Sequence, residues 1–181
     1  CVTNTINFGL EGTYAEVAKG GGVFNITTNE VLYSQNIFDK LYPASTTKIL
    51  TALVAMEEAD LSDTVTVSKN ACSTSFAWDE QTCGIKEGDK ISLKDLLYGL
   101  LLYSGNDTAV AIAEHVGGSV EGFAEMMNAK AKELMATHSH FVNPSGLYDD
   151  EHYTTAYDLY LIFNECIKHD EFVEIIGTDS Y

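Results

Sequence analysis

The sequence predicts an α+β domain, rich in helices, whose antiparallel sheet is incomplete within these 181 residues. Two β-type runs, Gly22-Val23-Phe24-Asn25-Ile26 and Val31-Leu32-Tyr33-Ser34, flank Thr27-Thr28-Asn29-Glu30 and read as a hairpin. Five helical patterns follow it. A two-stranded ribbon is marginal by itself and needs more strands or a packing layer. Strands beyond Tyr181 are therefore expected to complete the sheet.

Residues 1–19 have a weak period and are expected to form an arm or short helix leading into the hairpin. After Pro43, Ile49, Leu50, Leu53, Val54 and Met56 make an apolar stripe broad enough for a helix buried nearly all round, the expected centre of the core. Ser92-Leu93-Lys94-Asp95 reads as a capping box, opening a helix through Leu96, Leu97, Leu100 and Leu101. A third helix runs from about Asp107 to Val116 and ends at Gly117-Gly118. Ser119 caps a fourth, with Phe123, Met126, Met127 and Leu134 as packing residues, and Thr155-Ala156-Tyr157-Asp158 opens a fifth through Ile167. Between these last two, the Asn-Pro and Ser-Gly steps of Phe141-Val142-Asn143-Pro144-Ser145-Gly146-Leu147 mark a tight loop.

Composition narrows the function classes. Ten lysines, no arginine and 27 acidic residues give a net charge of −17, which excludes a basic nucleic-acid groove and electrostatic docking on anionic lipid. No apolar stretch reaches the roughly 18 residues of a membrane span. Cys1-Val2-Thr3-Asn4 does not read as a signal peptide, and Cys1 is either the lipidated cysteine of a processed lipoprotein or an arbitrary start. Cys72 and Cys83 bracket a polar loop carrying Trp78, an arrangement open to a disulfide, with free thiols as the plainer reading. Cys166, among apolar residues, reads as a small buried hydrophobe. No Cys/His spacing suits zinc, so neither a metal nor another cofactor is implied. Glu114-His115 lacks a second histidine, and His138, His140 and His152 lie on or near loops, where a solvated or capping role is expected.

The sharpest chemical signal is Ser45-Thr46-Thr47-Lys48, an S-x-x-K at the entry to the most hydrophobic helix. Residues three apart share a helix face, so the two side chains can meet. A serine hydroxyl becomes a good nucleophile when a base takes its proton, and Lys48 can be that base only when neutral. Lowering a lysine from its ordinary pKa near 10.4 to about 8 requires roughly 3.3 kcal/mol of differential destabilisation of the cation. Burial among Ile49, Leu50 and Leu53 and the positive end of the helix dipole both act in that direction. The competing reading is a Ser45 cap with a solvated Lys48, but the apolar run after Lys48 leaves it poorly placed for water.

Tyr103-Ser104-Gly105-Asn106-Asp107 joins the second and third helices. It reads as an ordinary turn, with Gly105 at positive φ and Asn106 or Asp107 as cap. Equally, Ser104 could relay a proton and Asn106 hold a substrate amide in an acyl-transfer site facing Ser45.

Three segments together resemble the serine-type D-alanyl-D-alanine carboxypeptidases, the low-molecular-mass penicillin-binding proteins. They are Leu41-Tyr42-Pro43-Ala44-Ser45-Thr46-Thr47-Lys48, the run from Leu96 through Ser104-Gly105-Asn106-Asp107, and His140-Phe141-Val142-Asn143-Pro144-Ser145-Gly146-Leu147. The resemblance implies a transpeptidase/serine β-lactamase-like fold, with a helical cluster against an antiparallel sheet. It makes 20–181 a truncated catalytic domain, with Ser45 the acylated nucleophile, Lys48 its base, Ser104 and Asn106 the second motif and Gly105 beside the substrate. The implied substrates are peptidoglycan stem peptides ending in D-Ala-D-Ala, with β-lactams as covalent inhibitors, at an extracytoplasmic cell-wall location. The family's Lys-Thr-Gly strand does not occur in this chain. Low activity of the chain by itself, and self-association through an unpaired sheet edge, are expected to follow. The rival readings are a serine β-lactamase and a catalytically silent wall-binding module.

Overall fold

A computed structural model describes residues 3, 5–9 and 18–181. Two strands, β1 (Gly21–Asn25) and β2 (Glu30–Gln35), form the expected antiparallel hairpin, with a bulge between Val23 and Phe24. Phe24 stacks on Tyr160 at 3.9 Å between ring centroids, which seats the ribbon on a helix and supplies the packing layer that a lone hairpin needs. The expected N-terminal arm lies largely outside the described residues. Of its described part, Phe8 exchanges backbone hydrogen bonds with Ser34 at 2.9 and 2.8 Å on the other edge of β2.

All five expected helices are present. The central one, α1 (Thr47–Glu58), is entered through a 3₁₀ turn over Ala44–Thr46. It buries Thr47, Lys48 and every residue from Leu50 to Ala55, and it touches four other helices. These are α2 (Leu93–Leu102), α3 (Asn106–Gly117), α4 (Val120–Glu133) and α5 (Ala156–Cys166). The caps read from sequence form as side-chain hydrogen bonds: Ser92 accepts from the Asp95 N–H, Ser119 from Gly122 and Thr155 from Asp158. Around α1 the core is continuous, with Leu53, Leu93, Leu97, Ile112, Phe123 and Met127 fully buried. Among the described residues no helix is long and apolar enough to cross a membrane.

Two strands and a helix lie beyond the sequence reading. Strands β3 (Thr64–Thr66) and β4 (Lys90–Ser92) pair antiparallel as a second small sheet, and α6 (Asp170–Ile176) packs Phe172 and Ile175 into the core. Each strand has only three residues and the partners are far apart in sequence, so neither shows a usable period.

Because α1 is the shared wall of the core, shortening one of its buried side chains should be felt by every neighbour. Leu53→Ala is expected to destabilise the chain by about 2–5 kcal/mol with the fold retained, measured as a lower urea midpoint at unchanged slope.

Candidate active site

The entry to α1 is shaped by a close backbone approach. Ala44 adopts a left-handed φ of +50°, unusual for a residue with a Cβ. Gly146, at φ +85°, lies against it so closely that an added Cβ would fall 1.8 Å from the Ala44 carbonyl oxygen. Only glycine fits there, and its fit lets the 141–147 loop reach the helix start. The same loop is folded on itself by Asn143, whose Oδ1 accepts from the Gly146 N–H at 2.7 Å and the Ser145 N–H at 3.2 Å. A further tie runs from the Thr51 hydroxyl to the Pro144 carbonyl at 2.7 Å.

Ser45 is exposed at the head of α1, whereas Lys48, one turn below it, is 2% exposed. The Lys48 ammonium donates to Asn106 Oδ1 at 2.8 Å, to the Ser145 carbonyl at 2.9 Å and to Ser45 Oγ at 3.3 Å. Among the described residues no carboxylate pairs with it. Burial without a counter-ion pushes Lys48 down from its ordinary value to about 8. A Cys83 thiolate would oppose that shift, but burial and the nearby Asp107 push the Cys83 thiol up to about 11, so at neutral pH it carries no charge.

This arrangement directs the lone pair of a neutral Lys48. A primary amine has two N–H donors and one lone pair. The Ser145 carbonyl and the Asn106 side-chain oxygen can only accept, so they take both donors. The lone pair is left facing Ser45, where it can accept the hydroxyl proton.

The Ser-Gly-Asn turn is held from behind. Asp107 is fully buried and accepts from the Ser73 hydroxyl at 2.6 Å and from the backbone N–H groups of Cys83, Gly84 and Thr108 at 2.9–3.0 Å. The Asn106 N–H donates to the Gln81 carbonyl at 2.8 Å. Asn106 thereby inherits the rigidity of the 73–85 segment. The positive φ expected at Gly105 falls on Ser104 instead, at +61°. Gly105 is required for closeness: a Cβ there would lie 2.6 Å from Cys83 Sγ and 2.7 Å from Thr108 Oγ1. Neither Asn106 nor Asp107 caps α3 through its side chain, since Gly105 occupies the cap position.

The structure therefore brings Ser45 and Asn106 each into direct contact with Lys48. Ser104, half-buried two residues before Asn106, makes no side-chain hydrogen bond among the described residues. Sequence reasoning missed the Ser145 carbonyl, the Asp107 anchor and His152. The motif containing Ser145 was visible, but a backbone carbonyl has no residue-type signature. His152 is corrected from a solvated or capping role: it is 1% exposed and bonded to Thr47. Cys72, Cys83 and Cys166 are free thiols. Away from the cleft, Glu57 on α1, Glu165 on α5 and His169 at the N-cap of α6 bring potential metal-ligand atoms within 4.8 Å of one another, a grouping that sequence spacing did not show. Lys130 and Lys168 already pair with its two carboxylates.

Solved proteins share this fold and cover the site region. A variant of the DD-transpeptidase of Streptomyces K15 superposes with a TM-score of 0.86 at 31% identity, over 91% of this chain and 66% of that one. A D-alanyl-D-alanine carboxypeptidase from Mycobacterium tuberculosis gives a TM-score of 0.84 at 36% identity, over 91% of this chain and 61% of that one. The chain is thus an α+β protein of the penicillin-binding, transpeptidase-fold class. The family model for D-alanyl-D-alanine carboxypeptidase, peptidase family S11, matches residues 17–180, and the chain belongs to that family. Among curated relatives, the D-alanyl-D-alanine carboxypeptidase DacF of Bacillus subtilis (strain 168) is 37% identical over 169 residues, 91% of this chain and 42% of that protein. DacC of Escherichia coli (strain K12) is 35% identical over 160 residues, 84% of this chain and 40% of that protein. The chain spans about two fifths of the length of these relatives.

A direct check of the site is the titration of Lys48 by NMR with labelled lysine, where this side chain should titrate near 8, well below the ordinary lysine value near 10.4. Asn106→Asp places a carboxylate in contact with the amine and should move that titration upward, because an adjacent anion favours the ammonium.

Proposed function

We propose that this chain is the nucleophile-bearing part, residues 20–181, of an extracytoplasmic serine D-Ala-D-Ala carboxypeptidase that trims peptidoglycan stem peptides. The single observation that supports this most is the lone pair of Lys48, directed at an exposed Ser45 by two acceptor-only partners.

In this reading Ser45 Oγ attacks the carbonyl carbon of the penultimate D-Ala as Lys48 takes its proton. The oxyanion that forms is met by an N–H at the start of the 3₁₀ turn, where the first backbone donors have no partner within the helix. Collapse breaks the C–N bond. The terminal D-Ala leaves as an amine that receives the proton, relayed through Ser104, and an ester remains on Ser45. Water then attacks the ester, its proton again passing to Lys48, to release the shortened peptide and regenerate the serine. Asn106 holds both Lys48 and the substrate amide beside Gly105. A β-lactam enters by the same attack, its ring nitrogen being the leaving group, which stays tethered. The absence of Lys-Thr-Gly from these 181 residues leaves the substrate carboxylate and a second oxyanion donor without an evident provider. One such donor is worth about 3–4 kcal/mol of transition-state stabilisation.

A fluorescent penicillin is expected to label Ser45, as read by peptide mapping, and the label should vanish in Ser45→Ala and in Lys48→Ala. The acylation rate should rise with pH through an apparent pKa of about 8, falling tenfold per unit below it, because only neutral Lys48 takes the proton. Label on Ser104, or a rate flat across that range, would remove the assignment. Steady-state release of D-Ala from diacetyl-Lys-D-Ala-D-Ala, set against hydrolysis of penicillin, separates the carboxypeptidase from a β-lactamase.

A second expectation concerns the missing wall. Extending the chain with a downstream Lys-Thr-Gly strand should raise turnover by at least about 10²-fold. It should also reduce self-association, which light scattering would detect, because among the described residues β1 has no strand on its outer edge. Equal turnover by the 181-residue chain and the extended one would contradict this.

A further inference from the structure

The 140–153 segment is a closed loop. His140 and Tyr153 exchange backbone hydrogen bonds at 2.8 Å each, so its two ends meet. Such a loop still needs to be fixed in depth against α1, because its Ser145 carbonyl must reach Lys48. Just inside the neck, the His152 ring spans the gap. Its Nδ1 accepts from the Val142 N–H at 3.1 Å on the opposite arm of the loop. A backbone N–H is only a donor, so Nδ1 is bare and the ring proton sits on Nε2. That proton is directed at Thr47 Oγ1, 2.8 Å away on the first turn of α1 and adjacent in sequence to Lys48. Phe141 packs edge-on to the ring, at 5.4 Å between centroids, and excludes water.

We propose that His152 is a positioning residue whose neutral ring clasps the 141–147 loop to Thr47 and so holds the Ser145 carbonyl on Lys48. One tautomer alone satisfies both contacts. An imidazolium would point a second N–H at the Val142 N–H, leaving two donors face to face in a buried site, so protonation opens the clasp. The charged or titratable groups that act on the ring are Asp149, which favours its protonation, and His140, which opposes it; burial outweighs both and pushes His152 down to about 4. Since the folded value lies below the ordinary one near 6.5, the clasp's stability contribution is complete above about 6.5 and is lost as pH falls through 4. Opening the clasp admits water to Lys48, and because burial is what lowers Lys48, its titration then moves upward.

The catalytic consequence rests on the carboxypeptidase reading, but the clasp itself can be read without substrate. In NMR titrations of the 181-residue chain, His152→Ala should raise the Lys48 pKa by at least about one unit. His152→Gln should keep it near 8, because the amide oxygen can accept from Val142 while its nitrogen donates to Thr47. Thr47→Val, nearly isosteric, removes the ring's acceptor and should shift Lys48 upward as His152→Ala does, which decides the matter if the alanine variant does not fold. A Lys48 pKa unchanged in a folded His152→Ala or in Thr47→Val overturns the proposal, as does a His152 ring protonated on Nδ1 at pH 7 in long-range nitrogen–proton spectra. In the extended chain, His152→Ala should also displace the pH profile of penicillin acylation upward by the same interval, about tenfold slower at pH 7 per unit. An extended wild-type chain that no penicillin acylates would sink the carboxypeptidase reading and leave these Lys48 titrations untouched.

Discussion

The burial of one amine, Lys48, without a counter-ion is the constraint around which the rest of the site is organised. A lysine in that position is destabilised as a cation by roughly 3 kcal/mol, at about 1.4 kcal/mol per pKa unit. The fold accepts this because neutral Lys48 is fully bonded: two carbonyl-type acceptors for its donors and a hydroxyl for its lone pair. A carboxylate in place of either acceptor would stabilise the ammonium and disable the base. In a chain with 27 acidic residues and net charge −17, the contacts of this amine are all uncharged.

The acidic group that adjoins Asn106 in the chain is occupied elsewhere. Asp107 follows Asn106 directly, yet its oxygens are taken by the Ser73 hydroxyl and by successive N–H groups of the 83–85 turn. It acts as a peg that locks one loop to α3 and so fixes where Asn106 can point. Asn143 does the corresponding work inside the other loop with an uncharged amide. Each flexible segment that contributes an atom to Lys48 thus has its own internal polar staple, which holds the acceptors in place before any substrate arrives.

Rigidity on this scale needs a rigid base, and α1 provides it. Its residues from Leu50 to Ala55 are all buried, so the helix cannot rotate or slide without disturbing four neighbours. Ser45 stands at the exposed end of that fixed rod, one turn above Lys48, after a backbone turn that Ala44 and Gly146 shape by close contact. The exposed nucleophile and the buried base are therefore two ends of a single helical turn, one open to substrate and the other closed to water.

What the sequence determined by itself is the set of features that one segment can encode: the apolar stripe of α1, the S-x-x-K spacing, the caps at Ser92, Ser119 and Thr155, and the hairpin. These rest on local periodicity and side-chain type, both of which survive in a bare string of letters. Only the tertiary structure decided the pairing of the three-residue strands Thr64–Thr66 and Lys90–Ser92, the packing of α6, and the contact of the Ser145 carbonyl with Lys48. The Ser145 oxygen is a backbone atom, and its role depends on where the chain returns to α1, 97 residues after Lys48. His152 looked like a loop histidine because burial is a property of what folds over a residue. No local pattern records that its ring would be sealed between Val142, Phe141 and Thr47.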